Sequence, residues 1–422
     1  MLVKFFIQID SAFKLVLSGV KENFLLKVSL DMGKSTYVPR SGESWRDPYP
    51  MYSDLRDNSP VHFVEEGSYW FLSRFEDVFN AARSPHIFSS RHGLTIDQNS
   101  NYLEMGDATP IVFLDPPEHT QFRRLISKGF TPRKAEDMRG DINSFVETAI
   151  NKIKELDNCD IISELFKPLP SFVVSKYLGV PSSDRVIFDT WTERIVSSAV
   201  QNEESEGLAA IVELTSYFTE LIEWRKKTPG DDLISELLEM GEEKVSIMWI
   251  LGLAFTMITG GNDTTTGLLG GSAVLLTDSP DQRKLLLEDF QLLPGTIEEL
   301  LRMTSPVQGL SRVLLEDFEL HNQKIPSGSR VLLGYGSGNR DEKEFGEDAE
   351  KLNIRRKVKR TLGFGSGAHL CLGASVARLQ SSIALEAILR NFPDFHVEES
   401  SSTYATGNYV RRHTHLPFYS RG

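Results

Sequence analysis

The sequence has only two cysteines among its 422 residues, Cys159 and Cys371. Two cysteines so far apart cannot form the disulfide framework that small secreted domains need, so their number favours a reducing compartment.

Positive charge is also scarce, since the chain has 46 Lys and Arg but 59 Asp and Glu, for a formal net charge of −13. Proteins that wrap nucleic acid usually have a basic surface, so nucleic acid is not expected as a partner.

Long hydrophobic runs are missing as well. The first 30 residues are rich in apolar side chains, but charged residues interrupt them, and they contain neither a run of about 18 apolar residues nor a signal-peptide cleavage pattern. We expect residues 1–43 to be an N-terminal extension, either disordered or an extra helix, with Met32 as the natural start. An amphipathic segment at a membrane surface is the alternative. A cytoplasmic protein without membrane association is the expectation.

The remaining 44–422 segment is predicted to be one domain. Nothing repeats, and no Pro/Gly/Ser linker divides the chain. Helical periodicity dominates from about residue 115 to 306, strand-like runs lie near both ends, and a final helix ends near Arg390. Residues 89–112 have many turn formers and predict a long binding loop or lid. The predicted fold class is mainly α with small β-sheets (α+β).

The stretch GFGSGAHLCLGASVAR, residues 363–378, contains Cys371. A structural zinc site would need about four ligands at characteristic spacing, and a dinucleotide loop would need glycine where Leu370 stands. A third interpretation is a thiolate at the start of a helix, which backbone N–H groups and the helix dipole favour, and which could be the axial ligand of a haem iron. A small buried hydrophobic residue is the alternative.

The segment GGNDTT, residues 260–265, interrupts an apolar helical run from about Glu243 to Thr277. Two glycines and the β-branched threonines are poor helix formers, so we expect the helix to kink or open there. A carboxylate beside a hydroxyl in such a place suits a proton relay, which makes Asp263 and Thr264 candidate catalytic residues. A capped helix break is the alternative.

Two further patterns involve ion pairs and clustered positive charge. Glu299 and Arg302, three apart on one helical face, predict a salt bridge, either at the surface or buried against the following segment. His119 and Arg123 share a helical face, and Arg312 begins a strand. Basic side chains that converge from separate elements suit an anionic cofactor such as haem, although each alone is typical of a protein surface.

Together these residues resemble the cytochrome P-450 superfamily of haem-thiolate monooxygenases, in particular its soluble bacterial members. The resemblance extends from about residue 44 to 418 and rests on FGSGAHLCLGASVAR, GGNDTT, the Glu299–Arg302 spacing, LDPPEHTQFRRLISKGFTPR, IPSGSRVLLGYGSGNRD and YVRR. It implies a helix-rich triangular prism that encloses haem b, with Cys371 as the thiolate ligand of the iron. It makes Asp263 and Thr264 the oxygen-activation pair. The other implied haem contacts are His119, Arg123, Arg312, His369, Phe364, Gly365, Gly373, Ala377 and Gly260.

Three positions depart from the usual pattern of the bacterial members. Thr361 stands where histidine is common, and Gln380 stands where glutamate is common. Lys351 occupies a position where an arginine often completes the network of Glu299 and Arg302. None of these changes removes an implied haem ligand, but they leave the third partner of the network open.

The resemblance implies a monooxygenase that activates O2 with two externally supplied electrons and hydroxylates, epoxidises or demethylates a lipophilic small molecule. No flavin or iron–sulfur motif is fused to the chain, so a ferredoxin or flavodoxin with its NAD(P)H reductase is the expected partner. The basic run IRRKVKR is either a docking patch for that acidic partner or a solvated turn. The patch residues are Arg355, Arg356, Lys357, Lys359 and Arg360.

The substrate pocket implied by the resemblance mixes apolar side chains with a few polar groups. A terpenoid, steroid, fatty acid or polyketide would fit it. A haem-thiolate peroxygenase or isomerase and a non-catalytic haem sensor are the alternative functions, and neither has an evident need for the Asp263–Thr264 pair. The predicted pocket residues are Leu94, Thr256, Thr259, Gln308, Leu310, Tyr409 and Val410.

Overall fold

The computed structural model describes residues 36–96, 106, 109–185, 187, 190, 191, 194 and 204–421. Most of the predicted extension, residues 1–35, therefore lies outside the described residues. Its described end packs on the domain, because the buried Tyr37 ring stacks on Phe71 with 4.2 Å between ring centroids. The amide of Gly42 also donates to the carbonyl of Ala405 at 3.1 Å.

Helices make up most of the described chain. The long central helix α9 is capped at its start, where the Ser246 hydroxyl accepts from the Trp249 amide at 3.3 Å. A short π-helix over Ile162–Phe166 precedes α6. In chain order the α-helices are α1 Tyr49–Asn58, α2 Phe75–Ala82, α3 Glu118–Ile126, α4 Pro132–Asp137, α5 Arg139–Lys154, α6 Pro168–Tyr177, α7 Glu204–Lys227, α8 Leu233–Leu238, α9 Ile247–Asp278, α10 Pro280–Glu288, α11 Leu293–Thr304, α12 Tyr335–Gly338, α13 Glu342–Phe345 and α14 Ala374–Asn391.

The described strands form small sheets, as predicted. The largest has the order β1-β2-β8-β5-β3, and the others are β4-β12-β9, β10-β11 and β6-β7. The expectation of a mainly α fold with small β-sheets is confirmed. The strands are β1 Val61–Val64, β2 Tyr69–Leu72, β3 Phe88–Ser89, β4 Asn158–Asp160, β5 Leu310–Leu314, β6 Phe318–Leu320, β7 Gln323–Ile325, β8 Arg330–Leu333, β9 His396–Val397, β10 Thr403–Tyr404, β11 His413–His415 and β12 Pro417–Tyr419.

Helix α9 is the centre of the fold and contacts α6, α11, α14 and several loops. Its apolar residues face in all directions, which is typical of a buried helix. None of the helices in the described part of the chain combines the length and apolar character that crossing a membrane would require.

The glycines of α9 do not interrupt it, so the expected opening at Gly260 and Gly261 is wrong as a break in the helix. They allow close packing instead. A Cβ atom on Gly261 would lie 2.8 Å from Val174 of α6, and one on Gly271 would lie 2.7 Å from Thr304 of α11. Both neighbours would have to move to admit a side chain, so the glycines set how closely these helices approach α9.

The predicted Glu299–Arg302 pair is fully buried, since both side chains are 0% exposed. The Arg302 guanidinium donates to Glu299 at 2.7 and 2.8 Å and to the carbonyls of Asn339 and Ala349 at 2.7 and 2.8 Å. The third partner is Arg356, whose Nε donates to Glu299 at 3.1 Å. Lys351 is exposed at the surface.

Arg356 therefore does not belong to the exposed basic patch predicted from the sequence. Its side chain is only 11% exposed, and it also forms an ion pair with Asp348 at 2.8 Å. The buried carboxylate of Glu299 needs a second cation, and an arginine is long enough to reach it from the irregular segment after α13.

We expect Glu299→Gln to lower the free energy of unfolding by about 3–5 kcal/mol, because it leaves the fully buried Arg302 guanidinium without its carboxylate and removes one of the two carboxylates that pair with Arg356. Urea unfolding followed by circular dichroism measures the loss. The matched control is Glu386→Gln, which breaks the exposed Glu386–Arg390 pair one turn apart on α14 and should cost less than about 1 kcal/mol. Equal losses in the two variants would contradict a structural role for the buried network.

Candidate active site

The loop before α14 holds Cys371 in a fixed position. Gly365 and Gly367 both have φ of +70°, in the left-handed region that favours glycine. A Cβ atom on Gly367 would lie 2.7 Å from the carbonyl oxygen of Ala82, so the loop also needs glycine there for space. The amide of Cys371 then donates to the carbonyl of Phe364 at 2.8 Å, which closes the loop.

The Cys371 side chain is accessible, although burial raises the pKa of its thiol. A side chain that is accessible and yet surrounded by protein faces an internal cavity. The Gly373 amide, Arg123 and Arg378 act in the opposite direction and lower that pKa. Because burial has the largest effect, a stable thiolate needs a further positive partner, and a bound metal ion is the strongest such partner.

The described residues contain no group of three or more His, Cys, Asp or Glu side chains arranged to bind a metal ion. The multi-ligand zinc site considered from the sequence is therefore not found around Cys371. A single sulfur ligand supplied by the protein is what a haem iron requires on one side.

Four basic side chains converge near the cysteine loop, as the sequence predicted. The rings of His119 on α3 and His369 lie 4.3 Å apart between centroids. Arg123, one turn after His119, donates to the carbonyl of Ala368 at 3.1 Å. Arg312 on β5 is 3% exposed and lies close enough to His369 for the two charges to interact.

No carboxylate forms an ion pair with Arg123 or Arg312 within the part of the chain that the structure describes. Burial, assisted by Arg123, lowers the pKa of His119 to about 4, and burial and the three basic neighbours hold the pKa of His369 well below its usual value. The Nδ1 atom of His119 is buried without a hydrogen-bond partner. This cluster therefore suits an anionic ligand, and the propionates of haem fit its charge.

On α9, the relay candidates lie where the helix borders open space. A Cβ atom on Gly260 would meet nothing within 4 Å. The Thr264 hydroxyl donates to the Gly260 carbonyl at 2.8 Å. The Asp263 carboxylate forms an ion pair with Arg412 at 2.9 Å. Arg412 was not among the predicted site residues, although the motif YVRR contains it.

The α9 side of the predicted pocket offers few free polar groups. The Thr256 hydroxyl donates to the Gly252 carbonyl at 2.8 Å, and the Thr259 hydroxyl donates to the Phe255 carbonyl at 3.0 Å. Both hydroxyls are thus used within the helix. Tyr409 is 39% exposed, although burial raises the pKa of its phenol to about 12, so it also faces an internal cavity.

The prediction of Gln308 as a pocket residue is wrong. Its side chain is 3% exposed, donates to the carbonyls of Thr304 and Ser305 at 3.1 and 2.7 Å, and accepts from the Tyr52 hydroxyl at 3.1 Å. The two carbonyls end α11 and need partners, so the amide caps that helix from within the core.

The remaining pocket candidates lie around β5 and the loop before β11. The carbonyl of Leu94 accepts from the Ser311 amide at 2.7 Å, so this loop residue lies beside β5. Leu310 is half-buried and packs on the cluster around the main sheet. Val410 is 7% exposed and forms an isolated bridge with Val307.

The side of the loop away from α9 contains an arginine that the sequence interpretation missed. Arg378 lies over the Phe364 ring, with 4.6 Å from its guanidinium carbon to the ring centroid. It also donates to Glu298 at 3.0 Å. The predicted contacts Gly373 and Ala377 form the first turn of α14, where the Ala377 amide donates to the Gly373 carbonyl at 2.9 Å.

The basic run ahead of the loop divides into exposed and paired side chains. Arg355, Lys357 and Lys359 are exposed. Arg360 forms ion pairs with Glu344 and Glu76. Because Arg356 belongs to the buried network, the unpaired positive side chains on this surface of the described chain are those of Arg355, Lys357 and Lys359.

A family model described as Cytochrome P450 matches residues 66–404. "Cytochrome P450 130" of Mycobacterium tuberculosis is 47% identical over 391 residues, which cover 90% of this chain and 96% of that protein. "Vitamin D(3) 25-hydroxylase" of Pseudonocardia autotrophica is 32% identical, covering 84% of this chain and 88% of that protein. The crystal structure of CYP109E1 from Bacillus megaterium in complex with testosterone is 31% identical, with a TM-score of 0.80 over 89% of this chain and 100% of that chain. The family model and these relatives show that the chain belongs to the cytochrome P450 family and is a P450 monooxygenase.

Proposed function

We propose that this P450 holds haem b through the Cys371 thiolate and uses O2 and two electrons from a partner protein to hydroxylate, epoxidise or demethylate a lipophilic small molecule. The observation that carries the proposal is the arrangement of three groups: the cavity-facing thiol, the basic cluster whose two arginines have no carboxylate ion pair among the described residues, and the Asp263–Thr264 pair on α9. Haem with a thiolate ligand supplies the oxygen chemistry.

The chain itself would orient the haem and favour its ligand. Cys371 is fixed by the bond from its amide to the Phe364 carbonyl. The Gly373 amide bonds to the sulfur and favours the thiolate form. His119, Arg123, Arg312 and His369 would bind the propionates, which relieves the repulsion among buried basic groups.

Proton supply is the role proposed for the residues on α9. The Thr264 hydroxyl can donate and accept at the same time, and the neighbouring Asp263 carboxylate can take up and release a proton. Asp263 is held by Arg412 and is partly exposed, with 25% of its side chain accessible. This position allows it to take protons from water and pass them to Thr264 Oγ1. A peroxygenase, an isomerase or a haem sensor has no evident need for this pair, so its presence favours the monooxygenase.

The substrate class follows from the polarity of the cavity wall. Thr256 and Thr259 use their hydroxyls within α9, and the Tyr409 phenol stays neutral at ordinary pH because its pKa is about 12. A largely apolar wall with one phenol suits a terpenoid, steroid, fatty acid or polyketide with one or two polar groups. The relatives named for vitamin D(3) and solved with testosterone support this class. Spectral titration with these two compounds is the direct screen.

The electron donor is proposed to be a ferredoxin or flavodoxin with its NAD(P)H reductase. The exposed side chains of Arg355, Lys357 and Lys359 lie just before the cysteine loop in the chain, so an acidic partner that binds them would be close to the Cys371 side of the cofactor. Opposite charges on the two proteins would speed their encounter.

The first test is the spectrum of the reduced protein with carbon monoxide. Wild-type protein should give the red-shifted Soret band of a thiolate-ligated haem, and Cys371→Ala should lose it, because the sulfur ligand is gone. Cys159→Ala is the matched control and should keep the band. A red-shifted band that survives in Cys371→Ala would contradict the assigned ligand.

The relay predicts a loss of coupling between O2 consumption and product. Thr264→Ala and Asp263→Asn should each lower product formation by about 100-fold and divert electrons to hydrogen peroxide, because protons arrive at the wrong time or place. Product and peroxide are measured per NADPH consumed, with a compound found in the titration screen. Thr148→Ala removes another threonine that bonds to its own helix, at 2.8 Å, and serves as control. Unchanged product per NADPH in both variants would contradict the relay role of the pair, and product formed without NADPH would favour the peroxygenase or isomerase function.

The docking patch predicts slower electron delivery after charge reversal. Lys357→Glu combined with Lys359→Glu should slow reduction by a ferredoxin about tenfold at low salt, and added salt should affect the variant less than the wild type. Stopped-flow absorbance measures the rate. Lys324→Glu combined with Lys227→Glu changes two exposed lysines outside the patch, on β7 and at the end of α7, and controls for net charge. An unchanged rate with unchanged salt dependence would rule out this patch.

A further inference from the structure

The ion pair between Arg412 and Asp263 joins two parts of the chain with different roles. Its atoms are 2.9 Å apart, and the two side chains are 13% and 25% exposed. Arg412 ends the loop Ala405–Arg412, which connects β10 to β11 and contains the proposed pocket residues Tyr409 and Val410. Asp263 is the proposed relay acid on α9. The pair is partly withdrawn from water, so its charges interact more strongly than those of a surface pair.

The same face of α9 also touches the loop at Arg411 and the first residue of β11. Gly267 and Gly270 follow Asp263 by four and seven residues, so they lie on its side of the helix. A Cβ atom on Gly267 would lie 2.7 Å from the Arg411 carbonyl oxygen, and one on Gly270 would lie 3.0 Å from Nδ1 of His413. The loop backbone at Arg411 and the His413 side chain of β11 therefore lie directly on the helix.

The other side of the loop is hydrogen-bonded to the segment after α11. The Arg411 amide donates to the Pro306 carbonyl at 2.8 Å, and the Gln308 amide donates to the Tyr409 carbonyl at 2.8 Å. The loop is thus held between α9 and a second fixed segment. A displacement of the loop must change its contacts on α9, because little free space separates them.

Tyr409 connects this loop to the cavity. Burial has the largest effect on its phenol, and the charge of Asp263 also raises its pKa while Arg412 lowers it. The phenol therefore lies within electrostatic range of both members of the ion pair. A ligand that fills the cavity against Tyr409 would act on the loop that carries Arg412.

We propose that Arg412 is a positioning residue for Asp263, and that their ion pair couples occupancy of the cavity at Tyr409 to the position of the relay acid. The inference rests on the proposed function in treating Asp263 as that acid. The coupling between the loop and α9 is a separate property of the chain, so it can be measured without turnover.

Hydrogen exchange in the haem-loaded protein tests the coupling. The amides of Arg411 and Gln308 report whether the loop is docked. Asp263→Asn and Arg412→Gln should each speed their exchange by about tenfold, and Arg412→Lys should have a smaller effect because it keeps the charge. Phenylimidazole, an apolar ligand with a nitrogen for the iron, should slow the exchange of both amides in the wild type and do so less in the two uncharged variants.

The matched control is Arg390→Gln, which removes an arginine from the exposed pair with Glu386 on α14 and should leave these amides unchanged. If Arg412→Gln fails to fold, Asp263→Asn still breaks the ion pair and tests the coupling. If the Arg411 amide exchanges at the wild-type rate in Asp263→Asn, the coupling is overturned.

Peroxide yield tests whether Arg412 acts through Asp263. With a surrogate ferredoxin, its reductase, NADPH and testosterone, Arg412→Gln should raise peroxide per NADPH about threefold or more. The Asp263→Asn, Arg412→Gln double variant should form no more peroxide per NADPH than Asp263→Asn alone. Independent, additive effects would overturn the positioning role. If Asp263→Asn leaves the peroxide yield unchanged, the proposed relay is contradicted, while faster Arg411 exchange in that variant still supports the coupling.

Discussion

The buried pair of Glu299 and Arg302 is the interaction on which the position of the cysteine depends. Arg302 donates to the backbone carbonyl of Asn339, and the Asn339 side chain accepts from the Leu362 amide at 2.8 Å. The Leu362 carbonyl accepts from Gly365, and the Phe364 carbonyl accepts from Cys371, both at 2.8 Å. An ion pair on α11 is therefore connected to the sulfur through four hydrogen bonds. The network must stay intact because a charge left alone at full burial is strongly destabilising.

Around the cysteine the fold accepts an arrangement that is unfavourable by itself. Basic side chains from α3, β5 and the loop lie together, and burial keeps both His119 and His369 neutral. An anionic ligand would interact favourably with the two arginines and give His119 a partner. Ligand binding and stability are linked in such a site, because a group that binds only the folded state raises the free energy of unfolding. The same groups that orient the cofactor would then also make the folded state depend on it.

The groupings that spacing alone predicts are local in the chain, whereas the grouping of His119, Arg312 and His369 was expected from the family resemblance. The cysteine loop, the Asp263–Thr264 pair and the Glu299–Arg302 pair each lie within a few residues of one another, so spacing alone brings them together. Arg356 was misjudged and Arg412 was missed because their partners are distant in the chain, whereas the carbonyls that Gln308 binds are only three and four residues away. A run of basic residues gives no sign that one member points inward to Glu299, and nothing near Gln308 indicates that its amide caps α11. Gly260 and Gly261 were expected to kink or open α9, since the packing partner of Gly261, Val174, comes from another helix.

The two ion pairs near the site differ in how far their side chains are exposed to solvent. Glu299 and Arg302 are 0% exposed, whereas Asp263 and Arg412 keep 25% and 13% of their side chains accessible. Separating the first pair would leave charges in the protein interior, so that pair has one arrangement and holds Cys371 rigidly. Separating the second pair lets water reach both partners, which costs less than leaving a charge alone at full burial. The fold thus has a fixed pair behind the cysteine loop and an adjustable pair on the α9 side. A relay acid that must take up and release protons while ligands enter and leave needs the second kind.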